Sequence, residues 1–117
     1  MFEDGEGVSK SDREAEKWYR KAADQGYADA QSNLGVMYED GRGASKNVAE
    51  AAHWYRKAAD QGLVQAEYNL GLLYARGLGI AKNDAEAVNW FRKAAEQGLA
   101  KAQSDLALMY VEGKGVR

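Results

Sequence analysis

Apolar residues recur along this chain at helical spacing. Ala30, Leu34, Met37 and Tyr38 stand at i, i+4, i+7 and i+8, which places them on one face of a helix. A second stripe, Ala15, Trp18, Tyr19, Ala22 and Ala23, runs i, i+3, i+4, i+7, i+8 and returns from Ala51 to Ala59 and from Ala87 to Ala95. Strict alternation of apolar and polar residues, the mark of a half-buried strand, occurs nowhere. The pattern predicts two kinds of helix. Helix A covers 28–40, 64–76 and 100–112; helix B covers 12–25, 48–61 and 84–97. The fold class is all-α, with about six helices.

The pattern has a period of 36 residues. Trp18, Trp54 and Trp90 follow it, as do Leu34, Leu70 and Leu106. Tyr38, Tyr74 and Tyr110 do the same, with Phe2 in the matching place before them. Residues 27–62 and 63–98 align without a gap and are identical at 19 of 36 positions. Units of this length cannot bury their apolar faces alone, so they stack. One domain over 1–117 then divides into a half repeat (1–26), two full repeats (27–62 and 63–98) and a closing half (99–117). Residues 1–4 match only the last turn of a helix A, and the final helix A has no helix B after it. That phase leads us to expect a homo-oligomer or a domain swap through the terminal half repeats, or a longer array of which this is a part.

Helix boundaries have local causes. Ser11-x-x-Glu14, Asn47-x-x-Glu50 and Asn83-x-x-Glu86 resemble capping boxes at the start of helix B. Gly26, Gly62 and Gly98 fit left-handed residues just past its end. Gly35 and Gly71 sit inside helix A, where glycine costs about 1 kcal/mol, so close packing is expected to compensate. The three tryptophans are expected to anchor the core.

The stretch from Tyr38 to Asn47, YEDGRGASKN, contains Gly41-x-Gly43 and invites a phosphate-binding reading. A dinucleotide fingerprint needs a third glycine and a preceding strand; the third position is Lys46 and a helix precedes. No Gly-x-x-x-x-Gly-Lys-Ser/Thr occurs, and a calcium loop would need ligands from Val36 and Tyr38. The glycine pair also recurs as Gly5/Gly7, Gly77/Gly79 and Gly113/Gly115, in step with everything else. It reads as a hinge between helices.

Composition narrows the chemistry. Lys and Arg number 16 against 18 Asp and Glu, a formal net charge of -2, which gives no reason to expect nucleic acid. No apolar run reaches the roughly 18 residues of a membrane span. The first residues lack a basic stretch followed by an apolar one, so no signal peptide is read in this chain. There is no cysteine and one histidine, which excludes disulfides, thiolate ligands and a multi-histidine metal site. His53 matches Lys17 and Asn89 in register and reads as a solvated position. None of the five serines has a lysine three residues on. No cofactor, metal or catalytic residue is expected. The compartment stays open: cytoplasmic by default, with a piece of a secreted or periplasmic protein as the alternative.

The run Ala30-Gln31-x-x-Leu34-Gly35-x-Met37-Tyr38-x-x-Gly41-x-Gly43, followed by Ala51-x-x-Trp54-Tyr55-x-Lys57-Ala58-Ala59-x-x-Gly62, resembles the Sel-1-like repeat, a branch of the tetratricopeptide-like repeats. The resemblance covers essentially the whole chain. It implies a right-handed α-solenoid of antiparallel helix pairs acting as a non-catalytic adaptor or scaffold for a protein or peptide. Three departures stand out. The usual loop valine is Ala44 or Ile80 with no proline after it. The aspartate that opens helix B is Ser11, Asn47 or Asn83. The cysteines of the cysteine-rich bacterial branch, for which β-lactam binding has been proposed, are absent, which weakens a hydrolase reading.

The resemblance also implies a partner-binding groove on the concave helix A face. Its positions are Asp29, Ser32, Asn33, Val36 and Glu39 in the first helix A. In the second they are Gln65, Tyr68, Asn69, Leu72 and Arg76. In the third they are Lys101, Ser104, Asp105, Leu108 and Glu112. Asn33 and Asn69 resemble residues that bond a bound peptide's backbone; bonding to neighbouring loops is the alternative.

Overall fold

The structure, a computed structural model, describes residues 10–116. These form six helices: α1 (Lys10–Asp24), α2 (Ala28–Asp40), α3 (Val48–Asp60), α4 (Val64–Arg76), α5 (Asp84–Glu96) and α6 (Ala100–Glu112). Among the described residues there is no strand. Each helix packs chiefly on its neighbours in the chain. The stack measures 49 × 28 × 21 Å, the elongated form of an α-solenoid. Phe2, Gly5, Gly7 and the helix A turn expected over 1–4 lie outside the described residues.

The asparagine caps form, but only half of the box does. Asn47 and Asn83 have extended backbones, and their side-chain oxygens accept from the Glu50 and Glu86 amides at 3.1 and 3.0 Å. The cap amides do not wait for the glutamates. They donate to the carbonyls of Tyr38 and Tyr74 at 2.9 and 3.0 Å, tying helix B to the end of the preceding helix A. Ser11 is a correction: α1 begins at Lys10, so Ser11 lies within its first turn.

Helix B ends as expected. Gly62 has φ 89° and donates to Ala59, while Leu63 donates back to Ala58, the paired bonds of a Schellman motif. Gly98 and Leu99 repeat this on Ala95 and Ala94.

The core repeats with the sequence. Trp54 packs with Ala23, Ala30 and Leu34. Thirty-six residues on, Trp90 joins the cluster of Ala59, Ala66 and Leu70. Each tryptophan thus fills a space made by the helix A of its own repeat and the end of the helix B before it. Trp18 departs from expectation. It is 59% exposed: among the described residues no alanine–alanine–leucine set such as seats Trp54 and Trp90 packs against it. Lys17 and Lys21 lie 5.6 and 5.4 Å from its ring centre instead.

Glycine permits two close approaches. A Cβ on Gly35 would lie 2.6 Å from the Tyr55 ring, and one on Gly71 would lie 2.8 Å from the Phe91 ring. These rings approach helix A at the one place where no side chain intervenes. The second loop glycine has a related role. A Cβ on Gly43 would lie 2.4 Å from the Asp12 carbonyl, and one on Gly115 as close to that of Asp84. The loop therefore rests on the start of the helix B one repeat earlier, so the hinge also stacks the repeats.

Candidate protein-interaction surface

The expected groove residues divide into free and engaged side chains. On α2, Asp29 and Asn33 are exposed and Val36 is half-buried, while Ser32 is buried. Glu39 is occupied: its carboxylate accepts the Tyr55 hydroxyl at 2.7 Å. Burial and that bond push the Tyr55 hydroxyl well above its ordinary range, so it stays a donor.

On α4, Gln65 and Arg76 are exposed, and Asn69 and Leu72 are half-buried. The Gln65 amide donates to Asn69 at 3.2 Å, four residues along the same face. Tyr68 is only 8% exposed. Its hydroxyl donates to Asp105 of α6 at 2.7 Å, and its ring lies 5.7 Å from that of Phe91. Burial, then the Asp105 bond, push its pKa up to about 12. On α6, Ser104, Leu108 and Glu112 are exposed, and Lys101 places its ammonium 5.1 Å from the Tyr68 ring centre. Tyr68, Lys101 and Asp105 are thus brought together, joining two repeats. Asn33 and Val36 line a small cleft of about 170 Å³ with Tyr19 and Arg42. Glu39 and Arg76 line another of about 240 Å³, with Leu73 and Leu78.

Two features escape the repeat pattern as a groove signal. A cleft of about 470 Å³ lies between α3 and α5, lined by Arg56, Glu86, Trp90, Arg92 and Lys93 among others. Its charges are matched: Glu86 lies 3.7 Å from Arg56 and accepts the Trp90 indole at 3.1 Å. In sequence Trp90 reads as a core anchor and the charged residues around it only as polar helix positions. The second is Glu67, 3% exposed. It stands where the other repeats have Gln31 and Gln103, and the Gln97 side chain donates to it at 2.6 Å. Burial raises its pKa, opposed by Lys93 and by the Gln97 bond. The sequence signal was the single acid at an otherwise neutral repeat position.

No described cluster of His, Asp or Glu could hold a metal ion. No described helix is long and apolar enough to cross a membrane. His53 is exposed, its ring edge-on to Trp54 at 5.2 Å.

The family model for the Sel1 repeat matches residues 1–27, 28–63, 64–99 and 100–117. The chain belongs to the Sel1 repeat family. A Sel1 repeat protein from Oxalobacter formigenes is similar at 50% identity and TM-score 0.86, over 90% of this chain and 43% of that one. The protective antigen c5321 of uropathogenic Escherichia coli, which displays an SLR fold, is 45% identical with TM-score 0.88, over 92% of this chain and 23% of its own. Helicobacter pylori cysteine-rich protein B is 30% identical with TM-score 0.73, over 78% and 68%. The chain therefore spans less than half the length of the first two. No curated protein matches it. Sel1 repeat proteins generally act as scaffolds for protein interaction and are typically non-catalytic.

Proposed function

We propose that this Sel1 repeat chain is a non-catalytic scaffold that binds a protein segment along its helix A face. The observation that carries the reading is a row that recurs once per repeat. Val36, Leu72 and Leu108 supply accessible apolar surface at equivalent positions, with Asn33 and Asn69 beside the first two. An apolar row flanked by amides suits a segment that buries side chains while its backbone finds polar partners. Ser32 and Tyr68 are buried and Glu39 is held by Tyr55, so the exposed contacts fall to Asp29, Asn33, Gln65, Arg76, Lys101 and Ser104.

Comparative pull-down tests the face. The combination Asn69→Ala with Leu72→Ser is expected to weaken a specific partner about ten-fold or more. Asn89→Ala with Lys93→Ala, on helix B, is expected to leave it unchanged. Partners lost with the second pair and kept with the first would overturn the reading.

A further inference from the structure

Glu67 stands in a buried line of hydrogen bonds that the neighbouring joint shows in full. There the Gln61 side chain, just past α3, donates to the Gln31 side chain of α2 at 3.0 Å and to the Gly26 carbonyl at 2.9 Å. Gln31 is buried and donates in turn to the Ala23 carbonyl of α1 at 3.2 Å. One neutral amide, accepting on one side and donating on the other, thus ties three successive helices. Gln103 of α6 repeats the second bond, donating to the Ala95 carbonyl of α5 at 3.1 Å.

Between α3, α4 and α5 the same line carries an acid. Gln97 donates to Glu67 at 2.6 Å, as Gln61 does to Gln31. The next acceptor in register is the Ala59 carbonyl. It takes the Gly62 amide at 2.8 Å, as Ala23 takes Gly26 at 2.9 Å, so each keeps a second lone pair for a side chain. A carboxylate only accepts. Ionised, Glu67 keeps Gln97 and leaves the Ala59 link unmade. Protonated, one oxygen accepts from Gln97 while the other donates to Ala59, which reproduces the Gln31 arrangement. The charges around it supply no substitute. Lys57 and Asp60 in the last turn of α3, and Glu96 of α5, are exposed. On α6, Lys101 and Asp105 are engaged with Tyr68. Burial favours the protonated form of Glu67; Lys93 of α5 and the Gln97 bond oppose it.

We infer that the joint between the two full repeats is a proton-operated catch: protonated Glu67 links α5 to α3 through α4, and ionisation releases the α3 side. The first joint, built on Gln31, has no such control. α2 and α4, on either side of the catch, carry Val36 and Leu72. Where the row binds as proposed above, the catch sets how firmly those two positions are held relative to each other; the catch itself needs no partner.

Amide exchange at pH 4 and pH 8, corrected for intrinsic rates, tests the catch on the chain alone. The amides to follow are those of α4 and of the last turn of α3, with those of α1 and α2 as the reference. At pH 4 the unaltered chain and Glu67→Gln are expected to be equally protected at the α3–α4 joint. At pH 8 the unaltered chain should exchange there about ten-fold faster, while Glu67→Gln keeps its protection. Adding Gln31→Glu to Glu67→Gln should move the pH dependence to the α1–α2 joint. Equal protection of the first two chains at pH 8 overturns the inference. So does the same difference at both pH values, which would make it a matter of shape rather than of a proton. A difference as large in α1 and α2 as in α4 would mean a change in the whole fold and overturns it too, as does a transplanted acid that leaves the α1–α2 joint insensitive to pH.

Discussion

At the residue scale, small differences between repeats carry most of the information. Gln31 and Gln103 donate to the carbonyls of Ala23 and Ala95 at 3.2 and 3.1 Å. Glu67, between them in register, cannot donate to the equivalent Ala59 carbonyl while ionised. Its raised pKa means the fold favours the protonated form. That contribution is fully present below the ordinary carboxylate range and is lost as pH rises through the raised value. Glu67→Gln is therefore expected to stabilise the protein at neutral pH by about 1 kcal/mol. Its advantage in urea melts should shrink towards pH 4; a constant difference would show that ionisation is not the cause. Gly71→Ala reads the opposite way from helix propensity. Propensity favours alanine by about 1 kcal/mol, but the Phe91 ring must shift, a strain of about 1–3 kcal/mol. Net destabilisation is expected in the same melts.

At the element scale, the helices and their ends were legible in sequence. The three A helices begin and end where the apolar period places them, and the B helices differ by no more than two residues. The Asn83 cap is expected to contribute about 1 kcal/mol, measurable as the shift on Asn83→Ala. What the local pattern missed is how the cap amide is used. Asn83 donates to Tyr74, nine residues back, and that bond exists only once two helices meet. The tryptophans show the same division. Their stripe is the same in α1, α3 and α5 but for Phe91 in place of a tyrosine, yet Trp18 is exposed while Trp54 and Trp90 are buried. Trp54→Ala should cost about 3–5 kcal/mol and leave a cavity. Trp18→Ala should cost less than about 1 kcal/mol. Similar losses from the two would mean that Trp18 is also covered in solution.

At the scale of the whole molecule, the solenoid behaves as a line of neighbours. The described α1 buries only Ala23 and α6 only Ala102 and Met109, whereas α3 and α4 bury five and six residues. Amide exchange is expected to be slowest in α3 and α4 and to quicken towards α1 and α6. Uniform protection would indicate a single cooperative unit. The apolar period, the glycine positions and the asparagine caps are local properties of the chain, so the sequence alone determined the helices, their order and the repeat family. The choice between free and engaged polar residues was not local. Tyr68 meets Asp105 at a separation of 37 residues and Tyr55 meets Glu39 at 16. Only the stacked structure could decide that Tyr68 and Ser32 are buried while Asn33 and Leu108 face outward. Exposure depends on which neighbour covers each position, and a period treats every copy as if its neighbours were the same.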